Sequence, residues 1–233
     1  MNWPDDYLIP GIEPFHQEDA GIIYCANCRD ILPHLPRVDL VLTDIPFNIK
    51  WKYGTYNDNL TEEQYINNLN SWFNALRIQA RVIVKIPTKF SYLVLPIFHQ
   101  HLKYKWTIIQ YSPNTTSHGP FNLNLFTQYL VNDSDGPSPK RDFFINTKNV
   151  LETNHPSEMP TRPMKILIDW FSKQNDIILD PFLGSGTTAV AAKELGRRFI
   201  GVEIEEKYCE IAARRLGAWI PETDEDKRKG FFF

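Results

Sequence analysis

The 233 residues, 42% hydrophobic and 23% charged, suffice for one well-filled core and are short for two, and 17 prolines and 11 glycines without a period exclude a collagen-like or low-complexity chain. Three cysteines exclude a disulfide framework, and a net charge of −3 argues, as a whole-chain average, against a polyanion partner. No run approaches the ~18 uninterrupted apolar residues of a membrane span. The start Met1-Asn2-Trp3-Pro4 lacks the basic-then-apolar order of a secretory signal, so a cytoplasmic protein without membrane association is expected.

Apolar runs of buried-strand length and segments of helical period alternate along the chain. Strands are predicted at Gly21 to Cys25 and Val38 to Thr43, then a helix from Thr61 to Leu76, opened by Thr61 and Gln64 at capping-box spacing. A strand from Arg81 to Ile86, a helix from Lys89 to His101 and strands from Lys105 to Tyr111 and Leu125 to Val131 follow. The last part reads as helix Arg162 to Lys173, strand Asp176 to Asp180, helix Thr187 to Leu195, strand Arg198 to Glu203 and helix Glu205 to Leu216. This alternation implies an α/β fold, a mostly parallel seven-stranded sheet with helices on both faces. One domain is expected over residues 1–221, with a flexible tail at 222–233. Long loops at Asn48 to Leu60 and Ser112 to Asn124 are of a length that is usually functional.

Charge is unevenly placed. The 69 residues from Gln64 to Asn132 hold no Asp or Glu, where an even scatter would put roughly eight, and they carry Arg77, Arg81, Lys85, Lys89, Lys103 and Lys105. A face built from this window would be basic on a mildly acidic protein, which suits a polyanion. Lys85, Lys89, Lys103 and Lys105, joined by Lys50 and Lys52 from the first long loop, are the candidate polyanion contacts.

The segment Asp180-Pro-Phe182-Leu-Gly184-Ser-Gly186-Thr187-Thr188 follows a buried strand, turns on two glycines and opens a helix. Glycines there allow positive φ and a close ligand approach. A second strand ends in Glu203, 19 residues beyond Gly184, where a carboxylate can take both hydroxyls of a ribose. The Gly-Lys-Ser/Thr of a P-loop is absent, and Asp180 would repel a pyrophosphate. A carboxylate at that strand end suits a ligand with a cationic amino group. S-adenosylmethionine carries one, with a ribose and no phosphate.

A second strand end, Thr43-Asp44-Ile45-Pro46-Phe47, emits an acid, a proline and an aromatic. It resembles the Asp-Pro-Pro-Tyr/Phe motif of the S-adenosylmethionine-dependent DNA amino-methyltransferases, and Asp180 to Thr188 resembles that family's cofactor motif. The order of the two, catalytic first, is that of the beta group. His155-Pro156-Ser-Glu-Met159-Pro160 is similar to the family's His-Pro-x-x-Lys-Pro segment, with methionine in place of the lysine.

The resemblance implies a Rossmann-like methyltransferase fold, S-adenosylmethionine as cofactor and double-stranded DNA as partner, within a restriction-modification setting. It divides the chain into a catalytic motif at 38–47, a target-recognition region at 106–154 and a cofactor region at 155–216. Asp44, Ile45, Pro46 and Phe47 become the catalytic set. Asn27, Asp44, His155, Pro160, Asp180, Phe182, Gly184, Gly186, Thr187 and Glu203 become the cofactor set, Asn27 standing where relatives carry an acid that accepts from the cofactor's adenine.

The chemistry accounts for these residue types. An exocyclic amine is a poor nucleophile because its lone pair is conjugated into the ring. Acceptors from the Asp44 carboxylate and the Ile45 carbonyl can take its two hydrogens and favour a tetrahedral nitrogen. Phe47 can stack on a base swung out of the duplex, and Trp51, Tyr53 and Tyr56 beside Lys50 and Lys52 would make the following loop a flexible cover. An acid at the motif head favours adenine N6, while N4-cytosine methylation and an inactive DNA-binding protein of the same fold stay open, as does a homodimer. Cys25-x-x-Cys28 has metal-ligand spacing but no second pair, so no metal is expected.

Overall fold

The computed structural model describes residues 2–51, 54–77, 81–113, 118–119, 122–123, 125–132, 141–146 and 161–217. In chain order the elements are β1 (His16–Glu18), β2 (Gly21–Cys25), α1 (Cys28–Ile31), β3 (Leu40–Asp44), α2 (Glu62–Leu76), β4 (Arg81–Ile86), α3 (Ser91–Leu102), β5 (Tyr104–Tyr111), β6 (His118–Gly119), β7 (Asn122–Leu123), β8 (Phe126–Asn132), β9 (Phe143–Ile145), α4 (Thr161–Phe171), β10 (Ile177–Asp180), α5 (Thr187–Glu194), β11 (Arg198–Glu203) and α6 (Glu206–Arg215). Each of the seven predicted strands and five predicted helices is present, with ends moved by one or two residues. The Thr61 and Gln64 capping box forms in both directions and fixes the start of α2.

The main sheet has nine strands, in the order β1-β2-β11-β10-β3-β4-β8-β5-β9, and so exceeds the expected seven by an edge strand at each side. Both additions are three residues long. His16-Gln17-Glu18 has no apolar run, and Phe143-Phe144-Ile145 sits in a stretch read as irregular, so neither carries the signal of a buried strand. β6 and β7 form a separate two-stranded ribbon inside the predicted loop at Ser112 to Asn124.

Strands β2, β11, β10, β3 and β4 are parallel, while β8 runs antiparallel between β4 and β5. Alternate side chains of each strand serve opposite layers. Ile22, Tyr24, Val41, Val82, Val84 and Leu179 pack with Leu69, Phe73 and Phe98 of α2 and α3. Ile23, Leu40, Leu42, Ile83 and Ile178 pack with Leu167, Ala191, Cys209 and Ala212 of α4, α5 and α6. Truncating a side chain from this double core, such as the fully buried Phe73, is expected to cost about 3–5 kcal/mol.

From β3 the chain crosses through α2 to β4, and from β10 it crosses through α5 to β11 on the other side. The neighbours β3 and β10 therefore mark the point where the winding reverses, and ligands of open α/β sheets bind outside the carboxyl ends of strands at such a point. Those ends are Asp44 and Asp180. No helix among the described residues is long and apolar enough to cross a membrane.

Candidate active site

A pocket of about 450 Å³ opens at this reversal, within the usual range for a small-molecule site. Asp44, Asp180, Glu203 and Glu205 are its carboxylates, and Arg29 and Lys85 its cations. Of the predicted site residues, Asn27, Asp44, Ile45, Pro46, Phe47, Asp180, Phe182, Gly184, Thr187 and Glu203 all line it, although they lie up to 176 residues apart in sequence. Gly186 stands just behind as the residue before α5. His155, Pro160, Lys52 and Tyr53 lie outside the described residues.

The β10 side is held by hydrogen bonds within the protein. Asp180 is 4% exposed, and its Oδ1 accepts from Thr43 Oγ1 at 2.6 Å and from the Phe182 N–H at 3.1 Å. Burial pushes its carboxyl up to about 6, with the hydroxyl donors of Thr43 and Thr188 holding it down. Glu203 accepts from the Gly184 N–H at 2.8 Å on one oxygen and from the Glu205 N–H at 2.8 Å on the other. The acid of β11 thus fixes the glycine turn after β10. Gly184 has φ +54° and Gly186 φ +86°, and a Cβ at Gly186 would stand 2.8 Å from that of Ala212, so the second glycine serves both the turn and the seating of α6.

These acceptors fit the expected cofactor. Two buried carboxylates beside a pinned glycine turn suit a cationic amine and a ribose diol. Asn27 enters differently from the expectation. Its Oδ1 caps α1 by accepting from the Arg29 N–H at 3.0 Å, so the acceptor assigned to an adenine amine already holds a helix start.

The β3 side is arranged otherwise. Asp44 Oδ2 meets Lys85 Nζ at 2.6 Å, and Oδ1 is buried with no partner among the described residues. Burial pushes the Asp44 carboxyl above its ordinary range, and the Lys85 charge offsets part of that rise. The Phe47 ring lies with its centroid 5.3 Å from Lys85 Nζ. Ile45, 2% exposed, is a core residue, and the buried Tyr65 donates to the Pro46 carbonyl at 2.9 Å, fixing the turn.

The loop after Phe47 has its own scaffold. Asp58, 2% exposed, accepts from the N–H groups of Asn48, Ile49 and Trp51 at 2.8–3.0 Å, and Asn48 and Leu60 bond each other twice. Glu205 then ties the loop to the cofactor side, its Oε1 accepting from the N–H groups of Thr55 and Tyr56. Tyr56, Trp72 and Phe182 form an aromatic wall, with the Arg29 guanidinium over Trp72. Sequence reasoning missed Glu205, Trp72 and Arg29.

The acid-free window does not make one face. Lys85 is turned into the pocket beside Asp44, its register partner on the adjacent strand. Lys89 and Lys50 are exposed at the pocket end of the sheet. Lys103 and Lys105 stand at the other end, because Trp106 pairs with Val131 and Val131 with Ile83, near the start of β4. Along the strands Lys105 lies about two to three residues from the level of Lys85 and Lys103 about four, roughly 7–10 Å and 13 Å at about 3.3 Å per residue. Contiguity in sequence is not adjacency in space here, because the strands carry these lysines to different levels of the sheet.

Known proteins give the same picture. The DNA methylase family matches residues 99–214. The type II methyltransferase M.HpaI of Haemophilus parainfluenzae is 26% identical over 230 residues, covering 83% of this chain and 73% of its own. Among solved structures, the cytosine-N4-specific PvuII DNA methyltransferase superposes with a TM-score of 0.75 at 15% identity, over 94% of this chain and 93% of its own. M1.HpyAVI, solved as its complex with S-adenosylmethionine, gives 0.63 at 22% identity over 84% and 98%. The family match, the relative aligned over most of both chains and the common fold agree with both motif ends of the pocket, and the chain belongs to the S-adenosylmethionine-dependent DNA amino-methyltransferases.

Proposed function

We propose that this DNA methyltransferase modifies N6 of adenine in double-stranded DNA, with the target base turned out of the helix into the space between Asp44 and Phe47. The observation that carries the reading is Asp44 Oδ1, a buried acceptor without a partner among the described residues, in a pocket whose other acids are already bonded. An amine hydrogen completes it. The Ile45 carbonyl takes the second hydrogen, and Phe47 supplies the stacking surface. Asp180 receives the cofactor's ammonium and Glu203 its ribose hydroxyls, with Gly184, Gly186 and Thr187 giving close passage along the turn. When bound, S-adenosylmethionine would supply an electrophilic methyl, and Asp44 would take the proton that the amine gives up on accepting it. That carboxylate, raised by burial, is suited to receive it.

Residues 1–221 act as one methyltransferase domain in this reading, inside the cell where the DNA is, with bases read by the region at 106–154. Adenine is favoured because an acid heads the catalytic motif. Sequencing DNA from cells expressing the protein, with detection of modified bases, is expected to find 6-methyladenine at a fixed short sequence. 4-Methylcytosine would move the target to cytosine, and unmodified DNA from a protein that binds cofactor would leave a DNA-binding protein that has kept the fold.

A further inference from the structure

Lys85 is placed where no phosphate contact is needed and where a base edge would arrive. Its strand carries it level with Asp44, its side chain is 15% exposed, and its Nζ stands 2.6 Å from Asp44 Oδ2 and 5.3 Å from the Phe47 ring centroid. Asp44 Oδ1 is the neighbouring atom and has no partner among the described residues. The pocket therefore presents an acceptor directly beside a donor, with the Phe47 ring next to the donor. An ammonium has three N–H bonds and no acceptor, so it reads only lone pairs.

Adenine and cytosine share the complementary edge, an exocyclic amine next to a ring nitrogen with an in-plane lone pair. Guanine and thymine present a carbonyl next to a ring N–H, which sets acceptor against carboxylate and donor against ammonium. The ring nitrogen is also a hazard. Its lone pair is not conjugated, so toward an electrophilic methyl it is a better nucleophile than the amine beside it. A donor seated on that lone pair removes the competitor and leaves the amine, whose reacting orbital develops out of the ring plane, as the remaining acceptor.

We propose that Lys85 is a base-reading residue: while Asp44 accepts from the amine, the Lys85 ammonium donates to the adjacent ring nitrogen, selecting bases with this edge and directing the methyl away from the ring. The inference rests on the amino-methyltransferase reading above and adds a residue outside its catalytic motif.

The test is a cycle of protein and substrate changes. Wild type, Lys85→Met and Lys85→Arg are assayed for kcat/KM on duplexes carrying, at the mapped target, the natural base or its analogue with the ring nitrogen replaced by C–H: 1-deazaadenine, or 3-deazacytosine if cytosine is the mapped base. Wild type and Lys85→Arg, which keeps a donor, should lose at least tenfold on the deaza duplex. Lys85→Met, already slow on the natural base, should lose less than threefold more. Equal deaza penalties in wild type and Lys85→Met overturn the inference, because Lys85 then acts only through Asp44. Calorimetry with S-adenosylmethionine shows whether Lys85→Met is folded, and if it is not, a wild-type deaza penalty below threefold is the overturning result. Wild type that modifies no DNA sinks the activity reading itself and this inference with it, a result distinct from turnover with equal penalties.

Discussion

Asp180 and Glu203 on one side of the pocket and Asp44 on the other are all carboxylates at the ends of parallel strands, yet their surroundings differ. The first two are wrapped by donors of the protein: a hydroxyl and an N–H on Asp180, and two N–H groups on Glu203. Among the described residues, Asp44 has a single cation on one oxygen and nothing on the other. A group that positions a ligand gains from being fixed beforehand, whereas a group that acts on a reacting atom must keep a valence for it. On the proposed reading, cofactor side and target side are thereby distinguished before either ligand is present.

The largest test of that distinction is to remove each acid separately. Asp44→Ala should lower kcat on the order of 10²–10³-fold, while S-adenosylmethionine affinity by calorimetry stays within about threefold. Asp180→Ala should weaken cofactor binding itself. Equal loss of cofactor affinity in the two variants would erase the difference between the sides.

Next in size is Phe47, on the target side. Stacking on a flipped base is worth roughly 1–3 kcal/mol, so Phe47→Ala should lower turnover about 5- to 100-fold. A duplex with 2-aminopurine at the target should brighten on binding wild type and brighten less with the variant. Unchanged fluorescence at a site that wild type methylates would remove Phe47 from the account and leave Asp44 standing.

A pH experiment sharpens the cofactor side. The Asp180 carboxyl is raised to about 6 in the folded protein, above its value in an unfolded chain, so its contribution to stability is fully present below the unfolded value, near 4, and is lost as pH rises through 6. Asp180→Asn should therefore unfold at a higher temperature than wild type at pH 8 without cofactor, with the gap closing toward pH 4. Cofactor affinity of wild type, which needs the ionised acid, should fall by up to about tenfold per pH unit below 6, and the variant should lose that dependence.

The smallest effect belongs to the surface. Replacing Lys50 or Lys89 by Ala should make the salt dependence of DNA binding shallower by about one unit each, and the same change at Lys103 or Lys105, at the far end of the sheet, should leave it unaltered. Equal slopes for all four would restore the single basic face that the fold argues against.

What the sequence disclosed and what it withheld follow from the range of the forces involved. Strands such as Val38 to Thr43 announce themselves because burial on both faces needs a continuous apolar run, and the Thr61 cap because its hydrogen bonds span three residues. The motif acids are legible because strand, turn and helix are neighbours in the chain. Lys85 and Glu205 are not, since their roles depend on register between strands and on a loop 150 residues away. The edge strands β1 and β9 are held by pairing rather than by apolar content, and so leave no pattern to read.

Glu205 gives the molecule one further property. Its carboxylate holds the backbone of Thr55 and Tyr56 while its own N–H is held by Glu203, so the loop beside the target base and the acid beside the cofactor turn meet in one residue. Equilibrium linkage through such a joint is reciprocal: the factor by which cofactor tightens DNA is the factor by which DNA tightens cofactor. A molecule resting on DNA and one diffusing between sites are then two different sensors of the S-adenosylmethionine supply.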